Sequence, residues 1–155
     1  MSVLTMEEAE WLQCKAQLKA KLKTITIPLD VTPGITKGLL ARIDSFFTDV
    51  RLEIGEIQAV KERTESLIRE WEREKTEGKN EMDRKRNATV ALQNYPIGNN
   101  ETINMYDYHR QVVERYSVLQ SILETLQAKQ ARLITVTGVL KLEKELTGAQ
   151  DIGGV

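Results

Sequence analysis

Over two long stretches, Leu39 to Leu92 and Met105 to Leu146, apolar residues recur at alternating steps of three and four. That period predicts amphipathic helices in both. Between them stands Asn94-Tyr-Pro-Ile-Gly-Asn-Asn, a run of helix breakers and turn formers. The two helices should therefore fold back on each other with a turn near 94–101. The expected class is all-α: a long antiparallel helical hairpin, coiled-coil-like, with a shorter N-terminal helix.

In the first long helix, Leu40, Ile43, Phe47, Val50, Ile54 and Ile57 keep one phase, and Ile68 and Trp71 resume it. Leu39, Phe46, Val60 and Leu67 form a second row beside it. This stripe is wider than the two-position seam of a simple paired coil, so the helix needs more than one neighbour. From Glu72 to Asn87 the pattern nearly vanishes, with Met82 the one large apolar side chain, and Gly78 and Asn80 are candidate breaks. In the second long helix, Met105, Val112, Tyr116, Leu119, Leu123, Leu126, Leu133 and Leu140 hold one phase, interrupted by His109, Gln130 and Thr137. The segment Ile134 to Leu140 is rich in β-branched residues and alone would suit a strand. The leucine phase runs through it and assigns helix. Gly148 to Val155 is glycine-rich and reads as a flexible tail.

Ahead of the hairpin, Thr5 followed by Glu8 has the spacing of a capping box, which predicts a helix from Met6 with Trp11, Cys14, Leu18 and Leu22 on one side. Thr24 to Val31 is β-branched and extended, with Pro28 limiting it to an edge strand or connector. Thr32 as N-cap and Pro33 in the first turn suit the start of the next helix, and Gly34 and Gly38 make this entry a plausible hinge. The organisation expected is an amphipathic helix over 1–23, an extended connector over 24–35, the hairpin over 36–147 and the tail over 148–155.

Folding about Ile97 would set Val50 to Val60 against Thr135 to Glu145, both apolar. It would also set the polar Glu72 to Asn87 against Tyr108, Val112, Tyr116, Leu119 and Leu123. A polar partner cannot bury those five, so they form the candidate interaction face. Either the N-terminal helix covers them through Trp11, Leu18 and Leu22, or another subunit or partner protein does.

Composition narrows the classes. The 155 residues carry 22 basic and 23 acidic side chains, and this near balance gives no global field toward nucleic acid or membrane. No apolar run approaches the roughly 18 residues of a membrane span. The N-terminus lacks the basic-then-apolar order of a secretory signal, so the sequons at Asn87 and Asn100 are read as chance matches. The single Cys14 excludes an internal disulfide and a multi-cysteine metal cluster, and a cytoplasmic location is expected.

Two basic clusters invite a second reading. Lys15, Lys19, Lys21 and Lys23 include no acid, but Glu7, Glu8 and Glu10 precede them, the order that a helix dipole favours. Arg84, Lys85 and Arg86 are flanked by Glu81 and Asp83, as on a solvated helical face. His109, the one histidine, sits at a seam position and reads as a packed polar residue. No phosphate-cradling loop, nucleophile elbow or zinc spacing occurs. Thus no catalytic, cofactor-binding or metal-ligating residue is expected. The function expected is that of a non-enzymatic, oligomeric structural or interaction protein without a membrane partner. Small helical-hairpin proteins of this size are common in phage and prophage genomes, and an accessory or assembly role follows by that analogy alone. The alternative is a nucleic-acid-associated accessory protein using Lys15, Lys19, Lys23, Arg84, Lys85 and Arg86.

Overall fold

The computed structural model describes residues 4, 6–74 and 78–150. It is 82% helical, far above the roughly one-third of an average globular domain, and the class is all-α. Helix α1 spans Glu8–Lys23. Its start is capped when the Glu7 N–H donates to the Glu10 carboxylate at 3.1 Å. The expected cap, Thr5, lies outside the described residues, and the helix begins at Glu8 instead of Met6. The connector that follows forms no strand. Its Ile25 is buried, and the Ile25 carbonyl accepts from Lys129.

Helix α2 runs Pro33–Glu74 and starts earlier than residue 36. Thr32 Oγ1 accepts from the Ile35 N–H at 3.3 Å, and Pro33 fills a position whose N–H would have had no helical partner. Ile43, Phe46, Val50 and Ile57 are its deepest side chains, Leu39 and Ile54 are also buried, and Leu40 and Phe47 are only half-buried. Both rows thus contribute to the core: Ile43, Val50, Ile54 and Ile57 from the first, Leu39 and Phe46 from the second.

The expected single helix to Leu92 is two. After Gly78 and Asn80, helix α3 spans Glu81–Gln93, capped by Asn80 Oδ1 accepting from the Asp83 N–H at 2.9 Å. Gly78 has φ 150°, a left-handed value that side chains resist, and a Cβ there would come within 2.8 Å of the Arg84 nitrogen. The breaker run then pairs with itself: β1, Tyr95–Gly98, and β2, Glu101–Ile103, form a two-stranded antiparallel hairpin. Asn99 and Asn100 make its tight turn at φ 51° and 61°, the left-handed pair that a two-residue primed turn requires and that asparagine tolerates. Helix α4 follows as Met105–Gln150, with Asn104 Oδ1 accepting from the Tyr106 N–H at its start. Ile134 to Leu140 is helical, as are Gly148 to Gln150, which were expected in the tail. Residues 151–155 lie outside the described residues.

Helices α2 and α4 pack against each other, and the chain divides into two compact units to which both contribute. The first comprises residues 53–118 with Leu4 and Met6; the second comprises 7–52 with 119–150. In the first unit Ile54, Ile57, Met105 and Val112 are buried with Ala88 and Leu92 of α3. Trp71 meets Tyr95 of the hairpin edge-on, with centroids 5.1 Å apart. In the second unit Ile43, Phe46, Val50, Leu126 and Leu133 are buried with Trp11 of α1. Lys21 lies over the Phe46 ring at 4.4 Å, and Arg42 donates to Thr24 Oγ1 at 3.1 Å. Each unit therefore supplies a third helix to the α2–α4 pair, which covers Ile43, Phe46, Val50, Ile54 and Ile57 and leaves Leu40 and Phe47 half-buried.

The break at Gly78 is testable. Gly78→Ala adds a side chain to a left-handed backbone and drives its Cβ into the first turn of α3, so it should cost roughly 1–3 kcal/mol. Thermal unfolding should show a lowered midpoint, and an unchanged one would mean that this turn relaxes without strain.

Candidate functional site

The five residues expected to form an exposed face do not form one. Val112 and Leu119 are 2% and 1% exposed, and Tyr108, Tyr116 and Leu123 are half-buried. The reason is register. Folding about Ile97 would have placed Glu65 opposite Gln130, whereas Glu65 meets His109 at 3.3 Å and Gln130 donates to Asp44 at 3.5 Å. Because α3 and the β-hairpin stand between the long helices, the first turn of α4 reaches the last of α2: Tyr106 Oη donates to Glu72 at 3.1 Å. Tyr108 to Tyr116 consequently lies beside the Lys61 to Glu65 stretch of α2 rather than Glu72 to Asn87.

Polar groups cross this contact in the first unit. The Glu65 carboxylate takes Lys61 at 3.0 Å and His109 at 3.3 Å, and Lys61 also sits 5.7 Å from the Tyr116 ring centroid. The Lys61 hydrogen bond and then that of His109 hold the Glu65 carboxyl below its ordinary value. Arg115, 5% exposed, donates to the Leu4 carbonyl at 3.2 Å and to the Met6 carbonyl at 2.8 Å, fastening the segment that leads into α1. The sequence reading did not single out Arg115. Its place three after Val112 and four before Leu119, a charge in apolar phase, was the available signal.

The basic residues of the alternative reading fall into different units. Lys15, Lys19 and Lys23 are on α1, and Arg84, Lys85 and Arg86 are on α3. Lys85 pairs with Glu81 at 2.9 Å, Arg84 donates to the Asn80 carbonyl at 3.4 Å, and Lys21 approaches Asp49 at 3.8 Å. Among the described residues no cluster of three or more His, Cys, Asp or Glu could hold a metal, and no helix is long and apolar enough to cross a membrane.

The unspent apolar surface lies in the second unit. The first turns of α2 and residues 137–144 of α4 line an open cleft of about 710 Å³. Val31, Pro33, Leu40, Ala41 and Leu140 give it an apolar lining, while Lys37, Lys141 and Lys144 ring it. Asp44, the one acid there, is engaged by Gln130. On the outer side of α4 a second feature runs along the same turns. Val139, Leu142 and Leu146 are 48%, 60% and 68% exposed, and their spacing puts them on one stripe. Leu142 is two residues from both Leu140 and Lys144, a turn of about 200°, so the stripe faces away from the cleft. Glu143 and Glu145 stand on its two flanks. An apolar trough edged by cations and an apolar ridge edged by anions thus occupy opposite sides of one helix.

No family model, curated protein or solved structure matches the chain.

Two measurements check the geometry. Leu119→Ala should cost about 2–5 kcal/mol because it opens a cavity in a closed core. Its effect should appear in unfolding while any assembly persists; loss of assembly without loss of stability would restore Leu119 as a contact residue. The Glu65 site predicts an acid effect with a definite sign. A carboxyl lowered in the folded state contributes stability present above its unfolded pKa and lost as pH falls through the lower folded one. Glu65→Gln should flatten that part of the melting-temperature profile on the acid side, and an unaltered profile would show that the Lys61 and His109 bonds contribute no net stability.

Proposed function

We propose that the chain is a non-enzymatic protein-interaction module that self-associates, and that its contact surface is the end of the second unit, not the middle of α4. The observation that carries this is the ridge of Val139, Leu142 and Leu146. Three branched side chains more than two-fifths exposed on consecutive turns serve no purpose in the chain's own core, and apolar residues gathered this way mark interaction sites. The lysine-edged cleft beside them adds a second apolar surface. Burying one leucine is worth roughly 1.5–3 kcal/mol, so a few such residues with their surroundings can hold a reversible complex. A cytoplasmic setting, suggested by the lone Cys14, belongs to the same reading. Nucleic-acid binding through Lys15 to Lys23 or Arg84 to Arg86 is the weaker alternative, because Lys21 and Lys85 already lie against carboxylates.

Light scattering tests the reading. Wild-type protein should exceed its monomer mass of 17.7 kDa, and Leu142→Asp with Leu146→Asp should return it to that mass with helicity and melting temperature retained, since both side chains are exposed. Assembly unaffected by the double substitution would refute the assignment of the face. Assembly lost steeply with rising salt yet insensitive to the substitution would favour charged contacts instead.

A further inference from the structure

Resting on that interaction reading, we infer that the α2–α4 cleft takes the outer ridge of α4 from a second copy of this chain. The two surfaces are both apolar and carry opposite flanking charges. The cleft is a trough floored by Leu40 and Leu140 with Lys37, Lys141 and Lys144 at its rim. The ridge is Val139, Leu142 and Leu146 with Glu143 and Glu145 at its sides. Seating ridge in trough takes both apolar surfaces out of water and sets the two acids against the lysines. The cleft volume of about 710 Å³ suits the side chains of one helical ridge entering from the open side. Within one chain, Lys141 reaches Glu145 at 3.9 Å on exposed surface, a weak contact that a copy's carboxylate can replace.

Other pairings are less well matched. Ridge against ridge would bring Glu143 and Glu145 of one copy toward the same acids of the other, and trough against trough would face lysines with lysines. Like charges in apposition oppose both. Because trough and ridge lie on opposite faces of α4, the copy whose ridge fills a neighbour's trough leaves its own trough open for the next. The contact is head-to-tail, so copies add in series and close only if the rotation between them completes a ring.

The test uses the full chain and two charge reversals at exposed positions. One variant carries Lys37→Glu and Lys144→Glu in the trough; the other carries Glu143→Lys and Glu145→Lys beside the ridge. Sedimentation across a concentration series should show wild-type mass rising beyond that of a pair. Each variant alone should stay at 17.7 kDa with an unchanged circular dichroism spectrum, and an equimolar mixture should recover the wild-type mass. Wild type fixed at the monomer mass overturns both this inference and the interaction reading. A wild type that stops at a two-fold pair overturns the head-to-tail contact. So does a trough variant that assembles normally while Leu142→Asp with Leu146→Asp does not, in which case the interaction reading alone stands. A mixture that fails to recover assembly overturns the charge pairing on which the inference depends.

Discussion

Burial of the stripe that runs along α2 is the constraint from which the rest of the molecule follows. A helix with rows at both Leu39 and Leu40, and again at Phe46 and Phe47, presents more apolar arc than one antiparallel partner can cover. The chain meets this by recruiting a different third helix in each unit: α1, with Trp11, beside one half of the α2–α4 pair, and α3, with Ala88 and Leu92, beside the other. Neither helper is strongly amphipathic by itself. Each contributes one or two side chains that are wholly enclosed, and those suffice because the long helices already supply the rest of the wall.

The insertion of α3 and the β-hairpin also fixes the register of the long helices. Those elements occupy residues 81–103 and return the chain to the end of α2, where Trp71 receives Tyr95 and Glu72 receives Tyr106. Had the reversal been a simple turn at Ile97, the polar Glu72 to Asn87 would have paired with the apolar start of α4. As folded, α3 turns Ala88 and Leu92 inward and leaves Met82 and Val90 exposed together with Glu81, Lys85 and Arg86.

The helical class, the start of α2 at Thr32-Pro33 and the helical state of Ile134 to Leu140 were legible in the sequence because each depends on local chemistry: a cap, a fixed φ, a continuous leucine phase. The break at Gly78 and Asn80 was legible as a possibility. Its consequence was not, since whether a broken helix continues or folds back depends on contacts made by residues far along the chain. The β-hairpin had a readable signal in Asn99-Asn100, a pair suited to two successive left-handed positions, yet the short strands around it carry no alternation strong enough to stand out. The misplaced interaction face follows from the same gap. Tyr108, Val112, Tyr116, Leu119 and Leu123 were identified correctly as apolar and phased, but exposure is a property of register, and register was set by the insertion. The α4 ridge was equally visible as a pattern; what concealed it was the assumption that Val139 to Leu146 met a partner in α2.

That last point bears on why the end of α4 differs from its middle. The pair Asp44 and Gln130 fixes where the two helices run side by side, and α2 has only its residues from Pro33 onward to offer beyond it. Helix α4 continues through Glu143 to Gln150, past the span that those first turns of α2 can line. A helix extended without a neighbour is marginal in water when its stability comes from packing, and one that also carries Leu142 and Leu146 uncovered adds a standing hydrophobic cost. Polar residues at these positions would relieve that cost without disturbing either unit. Their apolar identity, with carboxylates on both flanks and a lysine-edged trough on the opposite face, has no counterpart in the packing of either unit, and it is on this that the proposed contact with another chain rests.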